Sequence, residues 1–422
     1  MRLQLAIKSG PKGQRKWPWG NADPLLWGLP IAITLLAGLL IASTQRDSPL
    51  ADWKNHWITG GVGLAIATLL AKLDLSKLKG LLLPIYLLTL ASLFAVKFMG
   101  TSALGAQRWI SVAGLHVQPS EFAKLAAILL LAGILAKHPI ERPVDLIRPL
   151  AVISLPWVMV FIQPDLGTSL VYGAILLIML FWAGLPLPWL LLLMAPLFTA
   201  IIAGTFAWGL LPWFALLAVL AWRSLPWKQI GSAIILAINF IFAILTPYLW
   251  THGLKDYQKD RLILFLDPSK DPLGGGYHLI QSRIGIGSGQ LFGTGLLHGN
   301  LTKLQFIPEQ HTDFIFSALG EELGFIGSLL LLVAYGLLAW KLLQIAGKAS
   351  NDFESLVVVG ILAMLMFQVV INISMTIGLG PVTGIPLPWL SYGRFAMLVN
   401  FISIGLVASV QRRAQRNGFK LR

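Results

Sequence analysis

Two carboxylates in tight turns are the side chains of this 422-residue sequence that are best suited to acid–base chemistry. Asp271 opens the run Asp-Pro-Leu-Gly-Gly-Gly, and Asp267 precedes Pro268 four residues earlier. Prolines and successive glycines prescribe a tight backbone path, which suits a carboxylate that is held for use. The alternative is that Asp271 only caps the turn that it begins.

Charged residues also occur within apolar runs. A charge at the bilayer centre costs about 2.5–3.5 kcal/mol on insertion scales, so such residues usually face the bundle interior and pair. Glu121 and Lys124 share one helix face because they are three residues apart, and Pro119 suits the start of that helix. The two residues either lock helices together as an ion pair or form a cavity wall in which Lys124 binds an anionic group.

Asp165 lies in the run Gln-Pro-Asp-Leu-Gly-Thr (163–168), where proline and glycine interrupt a helix. Broken backbone at membrane depth is tolerated only where it lines a cavity or is buried in protein. Asp165 therefore either lines such a cavity or belongs to a simple turn outside the membrane.

A third polar run, Pro-Glu-Gln-His-Thr-Asp (308–313), precedes an apolar helix that carries Glu321 and Glu322. His311 and Asp313 could be metal ligands, a proton pair or a helix cap, and the last fits the position of Asp313 directly before the helix. No strong metal signature occurs, so we assign no metal ligands, although Mg²⁺ or Mn²⁺ near the acidic cluster stays open. The chain has no cysteine and therefore no disulfide or thiolate.

The elements that must position these residues are membrane helices. Hydrophobic residues make up 56% of the chain and charged residues 12%, whereas soluble domains carry about 25% charged residues. Residues 24–44 are too long for the apolar core of a signal peptide and indicate a retained first helix. The sequence predicts an all-α polytopic bundle with about twelve apolar segments: 24–44, 55–73, 80–98, 119–136, 149–163, 166–184, 187–204, 207–222, 231–250, 313–340, 354–377 and 391–411.

The basic residues orient this bundle. The formal net charge of +14 would suit nucleic acid, but Lys and Arg lie in short loops and tails between apolar segments, which argues against that partner. With a cytoplasmic N-terminus, twenty of them fall in inside segments and four in the short outside loops before residue 250. The positive-inside rule thus predicts cytoplasmic termini, an even number of spans and an external loop 251–312.

That loop carries six basic residues, five acidic residues and nine glycines between Gly274 and Gly299. Apolar residues continue through it at 262–266, 279–286 and 291–297, so we expect an ordered loop that packs on the outer membrane face or dips into the bundle. We therefore predict one integral membrane domain, residues 1–422, with the catalytic carboxylate on this external loop.

At these residues the sequence resembles the SEDS family (shape, elongation, division, sporulation). The Pro308–Phe316 and Glu321–Gly324 motifs are the most specific, and His298-Gly299 and Pro308–His311 look more like the elongation-type members than the division-type members. The matching runs cover nearly the whole chain: Arg108–Ile110, Gln118–Lys124, Gln163–Thr168, Phe265–Ser282, Ile307–Gly324 and Pro381–Gly393.

The resemblance implies a peptidoglycan glycosyltransferase that polymerises lipid II on the outer face of the cytoplasmic (inner) membrane. It implies a class B penicillin-binding transpeptidase and elongation-complex proteins as partners, and it places the essential aspartate at Asp271, with Asp267 as the rival. The family fold has ten helices, so residues 187–222 are expected to add a hairpin, or a more irregular insert. The expected substrate-binding residues are Arg108, Glu121, Lys124, Asp165, Arg261, Gln281, Ser282, Lys303, His311, Asp313 and Glu321.

One departure affects the site, and two rival functions stay open. The family usually has Ser-Tyr-Gly-Gly-Ser-Ser where this chain has Ser391-Tyr-Gly-Arg394-Phe-Ala, which puts a role for that segment in doubt. Intramembrane charges and broken helices also describe lipid flippases and secondary transporters, and a scaffold that only recruits partners is the third reading. Polymer made from lipid II without a gradient would separate the enzyme from both.

Overall fold

A computed structural model describes residues 23–44, 52–103, 106–112, 115–163, 165–253, 259–260, 263–265, 267–272, 274 and 276–420. The described chain is almost entirely helical, as the composition predicts. Arg261, one of the expected substrate contacts, lies outside the described residues.

The twelve predicted apolar segments each coincide with one long helix, and a further helix, α10, lies in the predicted loop. The bounds are α1 (Pro24–Thr44), α2 (Trp53–Leu70), α3 (Leu82–Met99), α4 (Pro119–Lys137), α5 (Ile147–Ile162), α6 (Leu166–Trp182), α7 (Leu187–Thr205), α8 (Leu210–Ser224), α9 (Lys228–Tyr248), α10 (Tyr277–Ser288), α11 (Ile315–Gly347), α12 (Asp352–Ile377) and α13 (Arg394–Lys420).

Ten of these helices, counted with the short 3₁₀ or π turns that extend some of them, are long and apolar enough to cross a membrane. The chain is therefore a multi-pass membrane protein. The two helices below that limit are α2, which begins with the polar run Lys54-Asn55-His56, and the 17-residue α6. Both pack within the bundle, so tertiary contacts compensate for their shorter or more polar sequence.

The centre of the bundle is formed by α4, α12 and α13, the helices with the most buried residues. Helix α2 lies along α13, α6 packs on α12, and α3 packs on α4. A Cβ on Gly360 of α12 would lie 2.5 Å from Ile128 of α4 and 2.8 Å from Met179 of α6. Such close approach through a small residue is how membrane helices gain packing energy without a hydrophobic drive between them.

Residues 187–222 form two regular helices, α7 and α8, joined by the 3₁₀ turn Ala207–Gly209. They pack against α9, and α7 also touches α6. The hydroxyl of Thr199 donates to Asn239 Oδ1 at 2.5 Å and accepts from Trp213 Nε1 at 2.8 Å. This polar contact and a separate small apolar core make α7–α9 a side module, so the hairpin alternative is the correct one.

A small antiparallel sheet before α4 was not predicted. Strands β1 (Gly100–Ala103), β2 (Ala106–Val112) and β3 (Leu115–Val117) pair in chain order. Ile110 of β2 lies opposite Gly100 of β1 and Val117 of β3. Arg108 lies on β2, the central strand of this sheet, close to the start of α4.

The predicted loop is folded and dips into the bundle. Helix α10 packs on α11 and α12, with Leu279 buried, and Ile307 later in the loop is buried as well. The His278 ring stacks on Phe314, with ring centroids 6.0 Å apart, so the start of α10 lies at the start of α11. The expectation of an ordered loop is therefore confirmed for its described part.

Helix α11 is kinked at Gly324, whose φ of +66° is outside the helical range. The kink exposes backbone groups that bind the loop. The carbonyls of Glu321 and Glu322 accept from the amides of Thr294 and Gly295, both at 3.0 Å. Loop and helix thus form one hydrogen-bonded unit.

We predict that Gly293→Ala destabilises this unit, because its Cβ would lie 2.1 Å from the Glu322 carbonyl oxygen and because Gly293 has a φ of +80°. The expected result is a clearly lower unfolding temperature in detergent. Gly287→Ala is the matched control, since nothing lies within 4 Å of its Cβ. Equal unfolding temperatures for the two variants would contradict the packing described above.

Candidate active site

Asp165 stands at the start of α6 as its N-cap. Its carboxylate accepts from the Thr168 amide at 3.1 Å and the Thr168 hydroxyl at 2.9 Å. Arg108 Nη1, from β2, approaches Asp165 Oδ1 at 3.8 Å. Asp165 is 5% exposed, so its carboxylate is buried within the protein. That Asp165 lines a substrate cavity stays a prediction.

Glu121 and Lys124 form the predicted pair on the first turns of α4. Lys124 Nζ donates to Glu121 Oε1 at 2.8 Å, and the residues are 1% and 3% exposed. The ammonium of Lys124 is therefore already neutralised inside the protein. In this conformation the pair locks α4 internally, and Lys124 does not reach an open surface.

Tyr172 joins the two charge pairs. Its buried hydroxyl donates to the Ser120 carbonyl at 3.5 Å, which ties α6 to the start of α4. The starts of α4 and α6 and strand β2 thus meet at one end of the bundle. Helix N-termini favour anionic groups, and Arg108 at their junction adds a partly exposed cation.

His311 and Asp313 lie at the start of α11. The His311 carbonyl accepts from the Tyr392 amide at 2.9 Å, and the Asp313 carbonyl accepts from Asn372 Nδ2 at 2.9 Å. Burial lowers the pKa of the His311 imidazole, although the carboxylate of Glu309 opposes this effect. The partly buried imidazole of His311 therefore binds a proton less readily than a free imidazole does.

The segment between α12 and α13 separates these two groups of residues. A Cβ on Gly167, beside Asp165, would lie 2.6 Å from the Thr383 carbonyl oxygen, and one on Gly384 would lie 3.4 Å from Asp313 Oδ2. Asn372 Nδ2 also donates to the Ile385 carbonyl at 2.8 Å. Residues 383–385 are thus the shared wall of the α6 and α11 helix starts.

Helix α10 brings the Asp271 turn to the start of α11. The hydroxyl of Ser282 lies 2.5 Å from that of Ser317 and donates to the Thr376 carbonyl at 2.7 Å, which anchors α10 in the bundle. Ser282 is buried and structural in this position, while Gln281 beside it is only half-buried. The turn that contains Asp271 directly precedes this anchored helix.

Asp271 and Asp267 have different roles in that turn. Asp271 is exposed, and its Oδ1 accepts from the Gly274 amide at 3.0 Å. Asp271 therefore caps the turn that it begins, as one of the two alternatives predicted. Asp267 caps the 3₁₀ turn Pro268–Lys270, and its Oδ1 accepts from both the hydroxyl and the amide of Ser269. These bonds from Ser269 lower the pKa of Asp267, which reduces its affinity for a proton.

Glu321 lies away from these residues, in the unit that fixes the later part of the loop. Its carboxylate accepts from the amides of Leu301 and Thr302 at 2.8 and 2.9 Å, at the start of the one-turn helix Asn300–Lys303. Lys303 lies on the same short helix, half-buried. The structure therefore groups Glu321 with Lys303 and does not group either with Asp165 or Lys124.

Two polar residues of this region had no predicted role. Asn372 is buried in α12 and bridges Asp313 to Ile385, and Gln310 Nε2 donates to the carbonyls of Thr44 and Thr302. A lone asparagine in an apolar run was the available signal for the first. Among the described residues, no three or more His, Cys, Asp or Glu side chains converge as metal ligands would.

We predict that Glu121→Gln destabilises the protein by roughly 3–5 kcal/mol, because it leaves the buried Lys124 charge uncompensated. The double variant Glu121→Leu with Lys124→Met should recover most of that loss, since apolar replacement of a buried pair is often neutral. Thermal unfolding in detergent measures both. A double variant as unstable as the single one would exclude the ion-pair account.

Known proteins share this fold and these motifs. The family model described as cell cycle protein (FtsW, RodA and SpoVE) matches residues 24–211 and 208–416. The chain is 34% identical to the peptidoglycan glycosyltransferase MrdB of Escherichia coli K12, over 96% of this chain and 97% of MrdB. It is 35% identical to the peptidoglycan glycosyltransferase RodA of Treponema pallidum, over 93% and 98% of the two chains.

Two solved structures resemble the whole bundle. One is a chain from a study of how a peptidoglycan synthase complex coordinates polymerization and crosslinking, with a TM-score of 0.70, 30% identity and 94% of this chain covered, against 99% of that chain. The other is an aspartate-to-alanine mutant of the rod shape determining protein RodA of Thermus thermophilus, with a TM-score of 0.62, 27% identity and coverage of 94% and 98%.

The match to the family model spans nearly all of the described chain, and the relatives align over almost their full length. The resemblance read from the Pro308–Phe316 and Glu321–Gly324 motifs is therefore confirmed. The chain belongs to the FtsW, RodA and SpoVE family of cell cycle proteins, the SEDS family.

Proposed function

We propose that this chain is a peptidoglycan glycosyltransferase that polymerises lipid II into β1,4 glycan strands during cell-wall elongation and cell-shape maintenance. The observation that carries the proposal is the near full-length similarity to MrdB and RodA, both peptidoglycan glycosyltransferases. The exposed carboxylate of Asp271, in a turn held at the start of the anchored helix α10, supplies the matching chemistry.

The reaction joins the C4 hydroxyl of one lipid II to C1 of the MurNAc of another. The new C1–O bond forms as the bond from C1 to undecaprenyl pyrophosphate breaks, and the hydroxyl proton goes to Asp271 as general base. Direct displacement inverts C1 and gives the β link. Because pyrophosphate is a good leaving group, the enzyme mainly needs a base and positive charge.

Of the two turn carboxylates, Asp267 is the less suitable base. The Ser269 hydroxyl and amide both bind the carboxylate of Asp267 and lower its pKa, so its affinity for a proton is reduced. Asp267 is also committed to capping the 3₁₀ turn Pro268–Lys270. Its role is to shape the path that leads to Asp271.

Positive charge for the pyrophosphate comes from residues that remain accessible. Arg108, partly exposed at the starts of α4 and α6, is the cation that we favour. Lys303 belongs to the separate unit around Glu321 and is the second candidate. Lys124 is paired with Glu121 beneath the surface and stabilises the start of α4, next to Arg108. The part of Arg261 in substrate binding stays a prediction, because this residue lies outside the described part of the chain. A divalent cation stays a prediction that polymerisation with and without EDTA would check.

The distribution of Lys and Arg supports cytoplasmic termini and an active site on the outer face of the inner membrane. A solved relative comes from a peptidoglycan synthase complex that polymerises and crosslinks, which supports a class B penicillin-binding transpeptidase as partner, together with other elongation proteins. The flippase alternative is not favoured, because the relatives that align over the full chain are glycosyltransferases.

We predict that Asp271→Asn abolishes glycan synthesis from lipid II by the purified protein, because an amide cannot take the hydroxyl proton. General-base removal typically costs about 10²–10⁴-fold in rate, and Asp267→Asn should cost much less. Glycan products are measured by gel electrophoresis, with thermal unfolding as the check on folding. Wild-type polymer yield from a well-folded Asp271→Asn protein would refute the assignment, and polymer that requires a membrane gradient would favour the transporter.

A further inference from the structure

A polar cleft of about 440 Å³ lies far along the bundle from the candidate active site, where α1 begins and α11 and α13 end. Its volume falls within the range of about 300–1,000 Å³ typical of small-molecule sites. Eight residues line it: Asp23, Lys341, Gln344, Ile345, Lys348, Gln411, Ala414 and Gln415. Neither the resemblance nor the proposed reaction uses any of them.

Asp23, Lys341 and Gln411 form a hydrogen-bonded network at the floor of the cleft. Asp23 caps α1 by accepting from the Leu25 amide at 3.1 Å through Oδ1. Its Oδ2 accepts from Lys341 Nζ and, at 2.9 Å, from Gln411 Nε2. Burial raises the pKa of Asp23, but the bonds from Lys341 and Gln411 and the charge of Lys341 more than offset it, so Asp23 stays ionised.

The rim of the cleft carries hydrogen-bond donors that do not take part in the network around Asp23. Lys348 is exposed, and the side chains of Gln344, Lys348 and Gln415 make no hydrogen bond or ion pair to another described residue. With Asp23 neutralised by Lys341, the ammonium of Lys348 is the uncompensated charge of the lining. An ammonium with two carboxamides suits a phosphate group with hydroxyls nearby.

A lipid-facing track leads from the membrane to this rim. Leu337, Lys341 and Gln344 recur at helical spacing on α11, so they share one face, and Lys348 is the C-cap residue that directly follows this helix. Leu337 is exposed, and Trp340, one turn before Gln344, is 49% exposed. Tryptophan is the side chain that marks the membrane–water boundary. The cleft therefore opens at the depth of lipid headgroups, with apolar surface leading to it.

We infer that this cleft binds the headgroup of an acidic phospholipid, with the phosphate at Lys348 and an acyl chain along Leu337 and Trp340. Basic pockets between membrane helices are known to hold acidic headgroups. The site requires only that the chain is inserted in a membrane, so it is independent of the proposed glycosyltransferase activity. A bound lipid would join α1, α11 and α13 at this end of the bundle.

The test is a titration of the full-length protein, in a neutral detergent, with a short-chain phosphatidylglycerol, followed by thermal unfolding and native mass spectrometry. Wild-type protein should gain stability and retain the lipid. Lys348→Gln should bind about five-fold more weakly, the factor that corresponds to about 1 kcal/mol per lysine near an anionic surface, and Lys348→Arg should bind normally.

Lys72→Gln, at another exposed lysine outside the cleft, is the matched control and should bind like the wild type. Phosphatidylcholine of the same chain length and inorganic phosphate are the ligand controls, and neither should stabilise the protein. Equal losses in Lys348→Gln and Lys72→Gln would overturn the site in favour of non-specific charge attraction. Equal protection by inorganic phosphate would overturn the lipid in favour of a free anion.

Discussion

Two adjacent buried carboxylates, those of Glu321 and Glu322, hold the long loop onto the bundle. Glu321 accepts from two amides and from the Thr302 hydroxyl, and Glu322 accepts from the Ser43 hydroxyl and the Leu297 amide. A buried carboxylate without partners would be costly. Here hydrogen-bond donors from the loop and from α1 compensate the burial of both carboxylates. The loop therefore stabilises α11, and α11 in turn holds the loop in place.

The backbone around these carboxylates follows from the same constraint. The kink at Gly324 leaves the carbonyls of Glu321 and Glu322 available to Thr294 and Gly295. Gln310 then ties the end of the loop to α1 and to the one-turn helix. The polar run 308–313 therefore enters α11 from a fixed direction, which sets the positions of His311 and Asp313 against residues 383–385.

The features that the sequence predicted were those that depend on local spacing. Glu121 and Lys124 pair because three residues bring them onto one helix face, and Asp271 caps the Pro-Gly turn that it begins. The apolar segments became helices because membrane insertion leaves the backbone few other ways to satisfy its hydrogen bonds. The sequence patterns were sufficient for these elements.

What could not be predicted depends on contacts between distant segments. The residues that flank Glu321 in the sequence do not indicate whether its carboxylate binds a substrate or a loop amide. The partners Leu301 and Thr302 are about twenty residues away in the chain, and only the fold brings them to Glu321. Asn372 likewise bridges two segments that are separate in the chain. The small sheet around Arg108 is built from short strands without strong alternation, so its pairing also appears only in three dimensions.

This division has a consequence for the proposed reaction. Direct displacement needs the attacking hydroxyl and the departing pyrophosphate on opposite sides of C1, so the base and the favoured cation must reach C1 from opposite sides. Asp271 lies on the loop, while Arg108 and the starts of α4 and α6 belong to the bundle. The bonds of Glu321 to the amides of Leu301 and Thr302 fix the later part of the same loop, so we expect this carboxylate to influence the proposed reaction through the position of the loop.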